Sequence, residues 1–179
     1  RYLNSMPTSH VAGTCQGPMT VWFTGGTVIT VNMYAPQLIL KFIEKYRPTW
    51  WGGVPTMFRM IWSLPDYSSF DLSSLRFVLY GGSAVDKPFL EQMAQMAPSF
   101  GTALGMTECA GYFTATPKAA PIDEVFGQVG QVFPDLARGS IYHLCFGSPG
   151  VCGDGDKGLQ IVRRRLRCLA GLSFRRCRF

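Results

Sequence analysis

LRFVLYGGSAVDKPFLEQMAQMAPSFGTALGMTEC, residues 75–109, is the stretch from which the fold is read. An apolar run ends at two glycines, a helix follows, then a second apolar run and a loop closing in Gly105-Met106-Thr107-Glu108. Gly81 and Gly82 lack the Cβ that would block close approach to the backbone or a positive φ. After the second run, the Thr107 hydroxyl stands beside the Glu108 carboxylate, a pairing that suits a phosphate oxygen and a hard cation. Open α/β sheets bind ligands at the carboxyl edge of their strands, so two loops at that edge of neighbouring parallel strands would face one ligand. The pattern reads as a nucleotide site.

Working outward, strands are predicted to begin near residues 27, 49, 75 and 99, with a helix in every gap. That spacing is what parallel crossovers need and a hairpin cannot supply. The expected fold class is therefore α/β, a mostly parallel sheet with crossover helices. Upstream, Tyr2 to Met6 reads as a strand end, and a helix from about His10 to Phe23 is expected to take a hydroxyl cap from Thr8 or Ser9. Thr27 to Val31 is β-branched almost throughout and reads as a buried strand. Leu38, Ile39, Phe42, Ile43 and Tyr46 form an apolar stripe on the next helix. Pro55 opens another, with Met57, Met60 and Ile61 on one face. Asp86 is a candidate cap for the helix that buries Phe89, Leu90, Met93, Met96 and Ala97. Trp22, Trp50, Trp51 and Trp62 read as core. From Gly111 to Pro134 the pattern loosens into loops and short extended segments.

The 179 residues, 47% hydrophobic and 13% aromatic, exceed what a disordered chain contains. The net charge of +6 is unevenly placed: residues 1–137 hold eight Lys and Arg against nine acids, and residues 138–179 hold nine bases against two. The body therefore has no electrostatic footprint for nucleic acid. Six cysteines without a CxxC pair argue against a disulfide framework or zinc ribbon and for a reducing, cytoplasmic setting. No apolar run approaches the roughly 20 residues that span a bilayer. The chain opens on Arg1, in what reads as mid-strand, like the interior of a longer protein.

The sequence resembles the adenylate-forming superfamily, in particular AMP-forming acyl-CoA synthetases, over about Tyr2 to Asp135. The resemblance is carried by MPTSHVAG at 6–13, GGVPTMF at 52–58, DLSSLRFVLYGGSAV at 71–85, GMTE at 105–108 and GQVGQVFP at 127–134, in the family's order and spacing. It implies a partial adenylation domain over residues 1–137. It also implies that Gly81, Gly82, Ser83 and Ala84 lie against adenine and acyl-adenylate, with Leu104, Gly105, Met106 and Thr107 completing the nucleotide site. Thr107 would contact phosphate and Glu108 would hold magnesium, the two being the catalytic pair. His10, Val11 and the run Trp51, Gly52, Gly53, Val54, Pro55 would line the tunnel for a fatty or aromatic acid. The implied substrates are a carboxylic acid, ATP and coenzyme A.

Two departures stand against the family pattern. Leu104 occupies the place of an aromatic that stacks on adenine, a loss worth about 1 kcal/mol. The phosphate loop with its Lys, the ribose-binding Asp, the hinge and the small domain with the catalytic lysine are not among these residues, so the chain alone is expected to be inactive. A catalytically dead acyl- or nucleotide-binding module is the alternative. The Arg- and Cys-containing tail, 138–179, fits neither a helix face nor a strand face. It reads as sequence foreign to the family, from a changed frame or junction, against the rival of a basic arm for an anionic partner.

Overall fold

The computed structural model describes residues 1–117, 120–132, 141–145 and 160–164, the last two segments by their backbone. Seven strands form one sheet in the order β2-β1-β3-β4-β5-β6-β7. They are β1 (Tyr2–Asn4), β2 (Val28–Thr30), β3 (Trp50–Gly53), β4 (Phe77–Tyr80), β5 (Phe100–Met106), β6 (Gly111–Ala115) and β7 (Gln131–Val132). The pairs from β2 through β5 are all parallel. The α/β architecture expected from the strand spacing is the one observed.

Successive side chains of a strand face opposite sides of the sheet, and here the two sides have different partners. Leu3, Trp51, Val78, Tyr80 and Phe100 look onto the crossover helices α2 (Pro36–Tyr46), α3 (Pro55–Trp62) and α4 (Lys87–Met96), which contribute Ile39, Leu40 and Ile43, Phe58 and Ile61, and Phe89, Leu90, Met93 and Met96 to the same core. The rings of Trp51, Phe58, Trp62, Phe89 and Tyr80 interlock with centroids 4.5–5.8 Å apart, in the tilted and edge-on arrangements that aromatic quadrupoles favour. Each of these helices carries a proline in its first turn, where the missing N–H costs no hydrogen bond. On the opposite side, Ala12–Met19 winds with wide i→i+5 turns and continues as α1 (Thr20–Phe23). Pro18 interrupts its hydrogen-bond ladder. Gly17 lets it lie on the Tyr2 ring, which a Cβ there would overlap.

Several expectations are corrected. β2 is the edge strand, and Val28 and Ile29 are only half-buried because β1 alone flanks them. The helix after Pro7 takes no hydroxyl cap from Thr8 or Ser9; the Ala12 N–H donates to His10 Nδ1 at 3.1 Å. Asp86 caps nothing by side chain and instead accepts from Arg59 at 3.0 Å. On α2, Leu40 is buried while Tyr46 is 37% exposed, and on α3 it is Pro55, Phe58 and Ile61 that are buried, Met60 being exposed. Trp22 is 62% exposed, on a face that no described element covers. The loosened stretch after Gly111 contains β6, antiparallel to β5, then α5 (Ile122–Val125) and β7. In the tail, β8 (Ile141–Cys145) and β9 (Gln160–Arg164) pair antiparallel, placing Arg163 and Arg164 on a strand. Arg165, Arg175, Arg176 and Arg178 lie outside the described residues.

Candidate functional site

A cavity of about 640 Å³ opens along the carboxyl edge of β1, β3, β4 and β5. Parallel pairing puts those four strand ends on one rim, with Tyr80 beside both Gly53 and Thr102. From there β4 leaves the sheet at once through Gly81 and Gly82. Gly82 adopts φ +92, a region that side chains other than glycine's rarely enter, and a Cβ on it would meet Val54 at 3.4 Å. The corner turns back over β3 and opens the rim beneath Ser83 and Ala84.

The cavity brings together Gly81, Gly82, Ser83 and Ala84, and Leu104 and Gly105 from the neighbouring strand. From the residues assigned to the acid tunnel it gathers His10, Gly52, Gly53 and Val54. Others lie off its wall. Trp51 is fully buried in the core, its indole N–H donating to Ser5 Oγ at 3.0 Å, and Pro55 is buried at the start of α3. Val11 is half-buried at the head of the Ala12–Met19 helix. Met106, Thr107 and Glu108 are exposed beyond the end of the cavity, the last two on a single 3₁₀ turn (Thr107–Cys109) after β5. That turn closes with the Ala110 N–H donating to the Thr107 carbonyl at 3.0 Å and Ala110 at φ +54.

Among the described residues no cluster of three or more His, Cys, Asp or Glu could hold a metal. Glu108 with the Thr107 hydroxyl is nonetheless a donor set that fits magnesium, which takes one or two carboxylates and leaves its other positions to phosphate oxygens and water.

Sequence patterning missed part of the wall. Tyr2, Gln16, Trp50, Arg59, Asp86, Thr102 and Tyr112 also line it, with Phe126 to Val129 closing one side. Tyr112 arrives on β6, opposite Gly105, next to a bulge that leaves Phe113 as the extra residue. The β-rich run GYFTA was the available signal for that strand. Burial, and for Tyr2 also the proximity of Tyr112, pushes both phenols above their ordinary value, so both are neutral hydrogen-bonding groups near neutral pH. Arg59 and Asp86 pair at the lip, both more than half exposed.

Comparison with known proteins accords with this geometry. The family model described as AMP-binding enzyme matches residues 1–138. A feruloyl-CoA synthase from Amycolatopsis sp is 36% identical over 110 residues, 62% of this chain and 22% of that protein. In fold, the chain is similar to the N-terminal domain of FACL13 from Mycobacterium tuberculosis, with TM-score 0.65, 19% identity and coverage of 80% of this chain and 39% of that one. It is likewise similar to the O-succinylbenzoate coenzyme A synthetase of Bacillus subtilis in complex with ATP and magnesium, with TM-score 0.61, 19% identity and coverage of 92% and 32%. The chain thus spans about a quarter of the length of such relatives. With the family model covering most of its length and the rim cavity built from the same motifs, the chain belongs to the AMP-binding enzymes of the adenylate-forming superfamily, as a partial N-terminal region.

Proposed function

We propose that the chain forms the acid- and nucleotide-facing part of an AMP-forming acid–CoA ligase acting in the cytoplasm. The observation that carries this reading is the gathering of Gly81–Ala84, Leu104–Gly105, His10 and Gly52–Val54 around one cavity at the carboxyl edge of a parallel sheet. Gly81 to Ala84 lie against adenine, and the acid fills the space between His10 and Val54. An oxygen of its carboxylate attacks the α-phosphate of ATP, the bond to pyrophosphate breaks, and the acyl group then passes to the CoA thiol. Thr107 Oγ holds a phosphate oxygen and Glu108 holds magnesium, which supplies positive charge where the phosphate oxygens gain negative charge. Because Thr107 and Glu108 stand beyond the cavity, the α-phosphate lies at its mouth and the acid within. The largely apolar wall suits a fatty or aromatic body.

The chain on its own binds but does not turn over, since the phosphate loop and the catalytic lysine of the family pattern are not among its residues. The test is pyrophosphate release with ATP, magnesium and a panel of carboxylic acids, paired with binding of a non-hydrolysable sulfamate mimic of an acyl-adenylate. Binding without release is the expected result. Release from the chain alone would overturn the dependence on the missing loop, and absence of binding would overturn the site.

A further inference from the structure

One wall of the cavity carries more hydrogen-bonding capacity than the fold uses. The Trp50 indole nitrogen is buried without a partner and faces the bare backbone of Gly52, where a Cβ would lie 4.0 Å from it. The Tyr2 ring stacks beside that indole with centroids 4.4 Å apart. Gln16 reaches the same region from the helix above, its side-chain amide nitrogen 2.9 Å from where a Cβ on Gly105 would stand. Tyr112 approaches Gly81 from β6, with a ring carbon 4.0 Å from that glycine's would-be Cβ. All four side chains line the cavity. Among the described residues, neither phenol and no atom of the Gln16 side chain is hydrogen-bonded, although buried polar groups are nearly always paired.

A purely alkyl ligand would seal these groups from water and leave them unpaired, which is costly. An indole N–H can only donate, so its ligand partner must be an acceptor, while the phenols and the amide can match either sense. We propose that this wall is a subsite for an oxygen substituent on the body of the acid, so that the chain favours oxygenated, ring-bearing carboxylic acids over plain alkyl acids. The inference rests on the cavity being the acid's, as proposed above, and adds the class of acid. Trp50 supplies the donor, Tyr112 and Gln16 supply adaptable partners, and the flat faces of Tyr2 and Trp50 suit a ring.

The test is isothermal titration of the full chain with 4-hydroxy-3-methoxycinnamate, with cinnamate, which has the same skeleton without the oxygens, and with decanoate. The expected result is at least tenfold tighter binding of the oxygenated acid than of cinnamate, with that ratio falling severalfold in Trp50→Phe and, separately, in Tyr112→Phe. Both substitutions keep an aromatic ring and remove only hydrogen-bonding atoms or an outer ring. Equal binding of the two cinnamates, or a ratio untouched in both variants, would overturn the subsite while leaving the acid cavity standing. Binding of none of the three acids would overturn both readings together.

Discussion

Tyr80 and Thr102 are register partners on parallel strands, and from that pair the two strands part: β4 ends at Tyr80, while β5 continues four residues further to Met106. At about 3.3 Å per residue the second strand carries Thr107 roughly 13 Å past the corner at Gly81. The rim is therefore stepped. The low step at Gly81–Gly82 opens the cavity, and the high step at Thr107–Glu108 overhangs its mouth in solvent, suited to a ligand with an apolar end and a highly charged end.

The high step is expected to be dispensable for folding. Thr107 and Glu108 are exposed and make no side-chain hydrogen bond among the described residues. Thr107→Ala and Glu108→Gln should each change unfolding free energy by less than about 0.5 kcal/mol. Each should weaken magnesium-dependent ATP binding, read by titration with and without the metal.

The low step should behave oppositely. Gly82→Ala puts a Cβ at φ +92 and against Val54. A cost of roughly 1–2 kcal/mol is expected in urea denaturation, together with lost affinity for adenine nucleotides.

Phe58 sits fully buried between Trp51, Trp62 and Phe89. Phe58→Ala should destabilise by about 3–5 kcal/mol, enough to unfold a marginal domain, and should be visible as loss of the cooperative thermal transition.

Asp71 gives a pH signature away from the site. The Ser73 hydroxyl, the Ser73 backbone N–H at 2.9 Å and the paired Arg47 guanidinium hold its carboxyl down from 3.8 to about 2. A depressed folded value means that this contribution is whole above about pH 4 and is lost as pH falls toward 2. Asp71→Asn should flatten the dependence of the urea midpoint on pH in that window and leave its slope near neutrality unchanged.

Much of this was legible in the sequence because the signals were local. Period-3.6 stripes placed α2 and α4, first-turn prolines marked helix starts, and strand spacing required crossovers. What was not legible depended on neighbours. Nothing within Thr27–Val31 says that it lies at an edge with β1 as its only partner. Trp50 and Trp51 are adjacent and equally apolar, yet the pleat sends Trp51 into the core and Trp50 to the cavity. Tyr112 was hidden because an antiparallel return with a bulge breaks the alternation that sequence patterning relies on. The Asp86 side chain, given a cap's role by position, went to Arg59 once α3 lay alongside.

The central claim is that both steps of the rim serve one ligand. Backbone amide chemical-shift mapping of the isotope-labelled chain, titrated with a sulfamate mimic of an acyl-adenylate plus magnesium, tests it most directly. The account predicts saturable shifts at Gly81–Ala84 and at Gly105–Glu108 that follow a single binding curve. Shifts at one corner without the other, or shifts confined to another face, would contradict it.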